Sequence, residues 1–197
     1  MPKASPVTVR GTIGRRARTR EHLLESEVEK LISAARKNRY GVRDSTLILI
    51  LFTHGLRVSE ALQATWKQFD LEQGVFHVHR LKGSNSGDHP LRGREIRALR
   101  QLKRKGPTSR DFVFCSQQRG RLGPRAVRLM IDRLAKRAGL GELNIHPHCF
   151  RHSCGYHMAE QGRDLRLIQI YLGHRNVQHT TRYVQLSPRQ FDGLFKD

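Results

Sequence analysis

The sequence predicts a mainly α domain carrying one small antiparallel β-sheet. Three observations predict it. Apolar residues recur at helical spacing along most of the chain. A single stretch, "VFHVHRLKG" (Val75 to Gly83), alternates like a half-buried strand. The turn residues "GSNSGD" and then "HPLRG" follow it, supplying a hairpin and a returning strand.

The elements read as follows. Residues 1–20 are basic, contain Gly, Pro and Thr, and show no periodicity, which predicts a flexible arm that touches phosphates. From Ser26, apolar Val28, Leu31, Ile32 and Ala35 predict a first helix. Asp44 is expected to cap a second, more buried helix through Phe52. "THGLRVSEALQATW" turns at Gly55 and re-enters a helix with Ser59 or Glu60 in its first turn. The hairpin then places Lys82 at its lip. "REIRALRQLKRK" predicts a basic helix, and "DFVFCS" a short apolar piece. "PRAVRLMIDRLAKRAGL" starts a helix with Pro124 and stops it at Gly139. Beyond Pro147 three further helices are expected: His148 to about Gln161, Asp164 to Leu172, and a short one from His179 to Tyr183, separated by Gly162 and Gly173. An amphipathic "SPRQFDGLF" follows, with Phe191, Leu194 and Phe195 on one helical face.

Composition bounds the function. The chain has 197 residues, enough for one domain plus a short arm, and 37% hydrophobic residues, enough for a lean core. The formal net charge is +20. So large an imbalance attracts polyanions, and it is spread through helical segments, which points to a folded nucleic-acid binder with no membrane partner. Three cysteines, Cys115, Cys149 and Cys154, sit at no disulfide-like spacing and predict a reducing cytoplasm. No signal peptide is expected, and "LILILF" (Leu47 to Phe52) is too short to span a bilayer.

The segment "HPHCFRHSCGYHMAEQGRDLRLIQIYLGHRNVQHTTRYV" (His146 to Val184) concentrates the reactive side chains. Spacing weighs against a zinc reading: there is no C-x-x-C, and "HCFRH" carries Cys149 where H-E-x-x-H needs its glutamate. A phosphate reading fits. His148 and Arg151 are three apart and share a helical face. A guanidinium can grip two phosphate oxygens, and an imidazole beside it can move a proton. Tyr183 can act as a nucleophile if cations stabilise its phenolate, since a phenol otherwise ionises near pH 10.

In this light the chain, from about Ser26 to its end, resembles the tyrosine recombinase (phage integrase) family. That family carries an Arg in G-L-R-x-x-E, a hairpin Lys, H-x-x-R, L-G-H and a final Tyr. Here "GLRVSE", "LKG", "HCFR", "LGH" and "TTRY" occur in that order. The short chain looks closest to the small bacterial recombinases that invert fimbrial promoter segments. The resemblance implies a recombinase catalytic domain over residues 21–186 and a tail, 187–197, exchanged between subunits. It implies that Arg57 and Arg151 grip the scissile phosphate, Tyr183 attacks it, Lys82 protonates the leaving oxygen, His148 assists proton transfer, His174 hydrogen-bonds the phosphate and Glu60 orients the site. No metal or other cofactor enters this scheme. The implied partners are double-stranded DNA with short inverted repeats, three further copies of the chain in a tetramer on two sites, and DNA-bending accessory proteins. His146, His152 and His157 read as helix packing or DNA contacts, and Tyr156 and Tyr171 as half-buried aromatics. The rival functions are a tyrosine-type topoisomerase and a non-catalytic DNA-binding protein of the same fold.

Overall fold

The computed structural model describes residues 21–81, 84–106 and 111–184. The basic arm, Lys82 and the tail expected from the sequence lie outside the described residues. Among those described, the helices are α1 (Glu25–Arg36), α2 (Gly41–Thr53), α3 (Val58–Gln63), α4 (Gly93–Lys105), α5 (Pro124–Arg137), α6 (Pro147–Glu160), α7 (Leu165–Leu172) and α8 (Gln178–Val184). The strands are β1 (Phe69–Asp70), β2 (Val75–Val78) and β3 (Gly87–Pro90). The architecture is mostly helical with one three-stranded antiparallel sheet in the order β1-β2-β3.

One starting device recurs. The backbone N–H before α1, α3 and α4 donates to a glutamate three residues on: Leu24 to Glu27 at 2.8 Å, Arg57 to Glu60 at 2.8 Å and Arg92 to Glu95 at 2.9 Å. Each satisfies a donor that the helix itself leaves open. Helix α1 buries Val28, Leu31, Ile32 and Ala35, the stripe its spacing predicts. Helix α2 is buried on nearly every side and packs against α1, α4 and α6.

Asp44 does not cap α2. The helix already begins at Gly41, where a Cβ would sit 2.4 Å from the Arg36 carbonyl oxygen. Asp44 instead lies within the first turn and accepts from Arg43 Nε at 2.9 Å and Nη2 at 2.7 Å. The sheet also differs from expectation. Strand β1 is two residues long, too short to show alternation, yet it pairs Phe69 with Phe76, whose rings stack at 4.0 Å. Strand β3 starts at Gly87, ahead of the expected His89. "DFVFCS" contributes only isolated bridges, Thr65 with Phe112 and Cys115 with Arg121.

Two apolar clusters result. The larger joins α1, α2, the sheet, α4 and α5. The smaller holds Cys154, Tyr156, Ala159, Ile168, Leu172 and Tyr183, between α6, α7 and α8. Helix α7 is bounded as its sequence predicts. Asp164 accepts from the backbone of Arg166 at 2.7 Å and Leu167 at 3.2 Å, and Gly173 ends the helix at φ 70°. Asp164→Ala removes that cap. It is expected to destabilise the fold by about 1 kcal/mol, which lowers the melting temperature of a chain this size by roughly 2–4 °C; an unchanged thermal melt would show that the cap contributes nothing.

Candidate active site

Gly55 makes the turn between α2 and α3. Its φ of 55° favours glycine, and a Cβ there would lie 2.4 Å from Leu172 Cδ2, so a larger residue would have to push that side chain aside. The turn delivers Arg57 to the head of α3. Its Nη1 donates to Glu60 Oε1 at 2.7 Å and to Ser84 Oγ at 3.1 Å, in the loop that follows Lys82. About a third of the Arg57 side chain stays exposed (32%), against 1% for Glu60. Glu60 also accepts from Arg80 Nη1 at 3.0 Å and from the Leu81 backbone at 3.3 Å. Burial by itself would raise the Glu60 carboxyl, but Arg80 and the bonds from Arg57 outweigh it and hold the group below the usual carboxylate range.

Arg151 comes from the middle of α6 and is buried, at 2% exposure. Its Nη1 donates to the Gly55 carbonyl at 2.6 Å and its Nη2 to the Leu172 carbonyl at 2.7 Å. Arg80 donates to the same Gly55 oxygen at 3.2 Å and to the Tyr171 carbonyl at 2.7 Å. Two guanidinium groups therefore meet the last carbonyls of α7, where the helix leaves acceptors open and its dipole is negative. Burial, followed by Arg80 and Arg57, brings the Arg151 pKa down to about 10, so the group remains charged at neutral pH.

His174 follows the Gly173 turn. Its Nδ1 lies 2.9 Å from Thr180 Oγ1, which ties the ring to α8 three residues before Tyr183. Tyr183 is 1% exposed. Its ring lies over Gly155 of α6, where a Cβ would come within 2.7 Å of Cε2 and Cζ. Its hydroxyl lies 3.2 Å from His152 Nδ1, and Tyr156 packs edge-on at 5.1 Å. Burial pushes the phenol up to about 12, with Arg151 and Arg182 pulling the other way. His148 is exposed one turn before His152, and the two rings meet edge to face at 4.7 Å. Burial, then the charges of Arg151, His146, Arg57 and Arg182, lower the His148 pKa. Burial and then Arg151 bring His174 down to about 3; for His152, burial and then His148 do the same. All three imidazoles are therefore neutral at pH 7.

The structure gathers Arg57, Glu60, His148, Arg151, His174 and Tyr183 around the ends of α3, α6, α7 and α8. Lys82 lies outside the described residues. Tyr171 stands apart: its hydroxyl donates to the Thr53 carbonyl at 2.9 Å and its ring stacks on His89 at 3.9 Å. Among the described residues no group of three or more His, Cys, Asp or Glu converges as a metal-ligand set. Sequence reasoning missed three contributors. His152, read as packing or a DNA contact, meets the Tyr183 hydroxyl. Gly155 seats the tyrosine ring, and a lone glycine inside a helical pattern was the available signal. Arg80 was not singled out, although strand alternation places it on the same face as buried Phe76 and Val78.

The phage integrase family model matches residues 21–190. The type 1 fimbriae regulatory protein FimE of Escherichia coli K12 is 38% identical over 185 residues, covering 90% of this chain and 91% of FimE. FimB of the same strain is 37% identical over 180 residues, covering 89% and 90%. Among solved structures, XerA recombinase superposes with a TM-score of 0.77 at 27% identity, covering 92% of this chain and 64% of that one. XerH site-specific recombinase, in a pre-cleavage complex with its difH substrate, gives 0.74 at 26% identity, covering 88% and 53%. The chain thus spans roughly half to two thirds of those two recombinases, and nearly all of the fimbrial regulators. With the ordered motifs, the helical fold and a match over most of its length, the chain belongs to the phage integrase family, the tyrosine recombinases.

Proposed function

We propose that the protein is a site-specific DNA recombinase that cleaves and rejoins DNA through a 3′-phosphotyrosine, and that it inverts a DNA segment. The observation that carries this reading is the juxtaposition of Tyr183 with the His174 ring, at 6.3 Å between centroids, and with the charge of Arg151, while Glu60 holds Arg57 at the head of α3. Tyr183 Oη attacks phosphorus, the P–Oη bond forms and the bond to the 5′-oxygen breaks. The leaving oxygen takes its proton from Lys82, and His148 handles the phenolic proton. Arg57 and Arg151 hold the two nonbridging oxygens, where charge builds in the pentacoordinate state. A guanidinium has five N–H donors, and the backbone carbonyls take two of those on Arg151. His174 Nε2 hydrogen-bonds the phosphate while Nδ1 stays on Thr180. Rejoining reverses these steps with the 5′-hydroxyl of the exchanged strand.

The wider surface suits a duplex. Helix α4 exposes Arg97, Arg100, Lys103 and Arg104, and α5 exposes Arg125, Arg133 and Lys136. These supply the phosphate contacts that dominate DNA affinity. Inversion is the reaction implied by the resemblance to the small fimbrial recombinases, and two relatives are named as type 1 fimbriae regulatory proteins. Four copies on two DNA sites are the assembly this reading requires, with residues 187–197 passed to a neighbour. The apolar side chains of that tail match a cleft of about 770 Å³ bordered by exposed Leu167 and Ile170. We place the protein in the cytoplasm, since its substrate is DNA and its three cysteines are buried thiols with no disulfide among the described residues.

Tyr183→Phe deletes only the attacking oxygen. DNA binding should persist while the covalent adduct trapped on a nicked suicide duplex disappears; an adduct that survives and maps to Tyr171 sinks the assignment. On a plasmid with two sites, the wild type should invert the intervening segment. Relaxation of any supercoiled plasmid without inversion would favour a topoisomerase. Gly155→Ala should overpack the tyrosine seat at a cost of about 1–3 kcal/mol. It should also slow single-turnover cleavage by about 10²-fold through displacement of the nucleophile; cleavage at the wild-type rate would show that the seat does not set the attacking geometry.

The neutral histidines predict a pH dependence of stability. His89, His152 and His174 are each held near 3 by burial first and by His54, His148 and Arg151 respectively second, whereas they protonate near 6.5 when unfolded. The unfolded chain therefore takes up protons that the folded one refuses. Stability should be intact above pH 6.5 and fall as pH drops from there towards 3. Melting temperatures at pH 7.5, 6 and 5 read this directly, and a flat profile would mean that these imidazoles are not neutral and buried.

A further inference from the structure

We infer that Arg80 is a positioning residue for strand cleavage, a third arginine that never touches DNA but sets the geometry of the two that do. Three observations converge on it. The Arg80 side chain is buried, and both of its terminal nitrogens are committed to protein acceptors. Its donors go to Glu60 Oε2 at 3.0 Å, Gly55 O at 3.2 Å, His54 O at 3.1 Å and Tyr171 O at 2.7 Å. Its own backbone N–H is fixed by Ser86 Oγ at 3.0 Å, across the base of the hairpin.

The acceptors give the role. Glu60 is shared: one oxygen binds Arg57 and the other binds Arg80. The Gly55 carbonyl is also shared, between Arg151 and Arg80. Arg57 stands at the head of α3 and Arg151 on α6, and Arg80 is the group that binds the anchors of both. It also reaches the end of α7 one residue before the Leu172 carbonyl that Arg151 holds. Lys82 lies two residues further along the chain, so the same anchor ties the hairpin base to α3 and α7. Gly173 completes the fit, since a Cβ there would lie 3.2 Å from Arg80 Cγ and 2.7 Å from the Asn85 carbonyl. Arginine alone supplies planar donors in enough directions for four acceptors; lysine has three donors on one atom.

This inference rests on the reading that Arg57 and Arg151 grip the phosphate charge. The test compares two nicked suicide duplexes, one with a natural phosphodiester at the cleavage point and one with a neutral methylphosphonate. Single-turnover cleavage of both is measured for wild type, Arg80→Lys and Arg57→Ala. The ratio of the two rates within one preparation is independent of the fraction of enzyme that is folded. In Arg80→Lys, cleavage of the phosphodiester should fall by about 10²-fold, the loss that a misplacement near 1 Å causes. DNA affinity should change little, and the rate ratio should drop towards that of Arg57→Ala. If wild type and Arg57→Ala share one ratio, the phosphate-gripping reading fails. If those two differ but Arg80→Lys keeps the wild-type ratio, only the Arg80 inference fails. Loss of the melting transition with no cleavage of either duplex would also overturn it, by giving Arg80 a purely stabilising role.

Discussion

The buried carboxylate of Glu60 is the constraint on which the site depends. It is the acidic group that the structure places between Arg57 and Arg80. A buried ion pair is weak evidence for stability, because desolvation cancels much of the attraction, but a buried charge stripped of its partner is costly. The arrangement around Glu60 is therefore close to all-or-none. The carboxylate must be inside, it must meet two guanidinium groups, and the α3 backbone N–H must close the remaining gap. Arg57 is thereby aligned while part of its side chain still faces outward.

The second buried cation is balanced without an acid. Arg151 and Arg80 spend their donors on backbone carbonyls at the Gly55 turn and at the end of α7. Open carbonyls and the negative end of a helix dipole take the place of carboxylates. This leaves net positive charge inside the pocket, which suits a site that must attract a phosphate and disfavours protonation of its histidines. Burial first, and the charges around them second, keep His148, His152 and His174 neutral. The phenol of Tyr183 is pulled both ways. Burial raises it, and Arg151 opposes that rise, so the proposed nucleophile is a neutral phenol in the free protein.

Function is thus distributed over elements that are remote in sequence. The head of α3 and the base of the hairpin carry one arginine and its anchor, α6 carries the other with the tyrosine seat, the turn after α7 carries His174 and α8 carries Tyr183. The small cluster of Cys154, Tyr156, Ile168, Leu172 and Tyr183 fastens the last three helices together. Catalytic alignment and packing of this layer are consequently one problem, and a single methyl group at Gly155 or Gly55 would disturb both.

The sequence by itself determined the fold class, the bounds of α1, α5 and α7, and the ordered family motifs. These depend on local periodicity, on caps such as Asp164 and on motifs of adjacent residues. It did not reveal β1, whose two residues are too few to alternate, or the start of α2, where Asp44 turned to Arg43. Nor did it reveal the setting of α6, which is enclosed by α2, α7 and α8 and so shows no apolar stripe. Only the tertiary structure decided that Arg80 is an internal anchor, that His152 meets the tyrosine hydroxyl and that Gly155 seats its ring. The physical reason is that their partners are backbone carbonyls and side chains distant in sequence, and a carbonyl that every residue possesses leaves no mark in the sequence until the fold aims it at a donor.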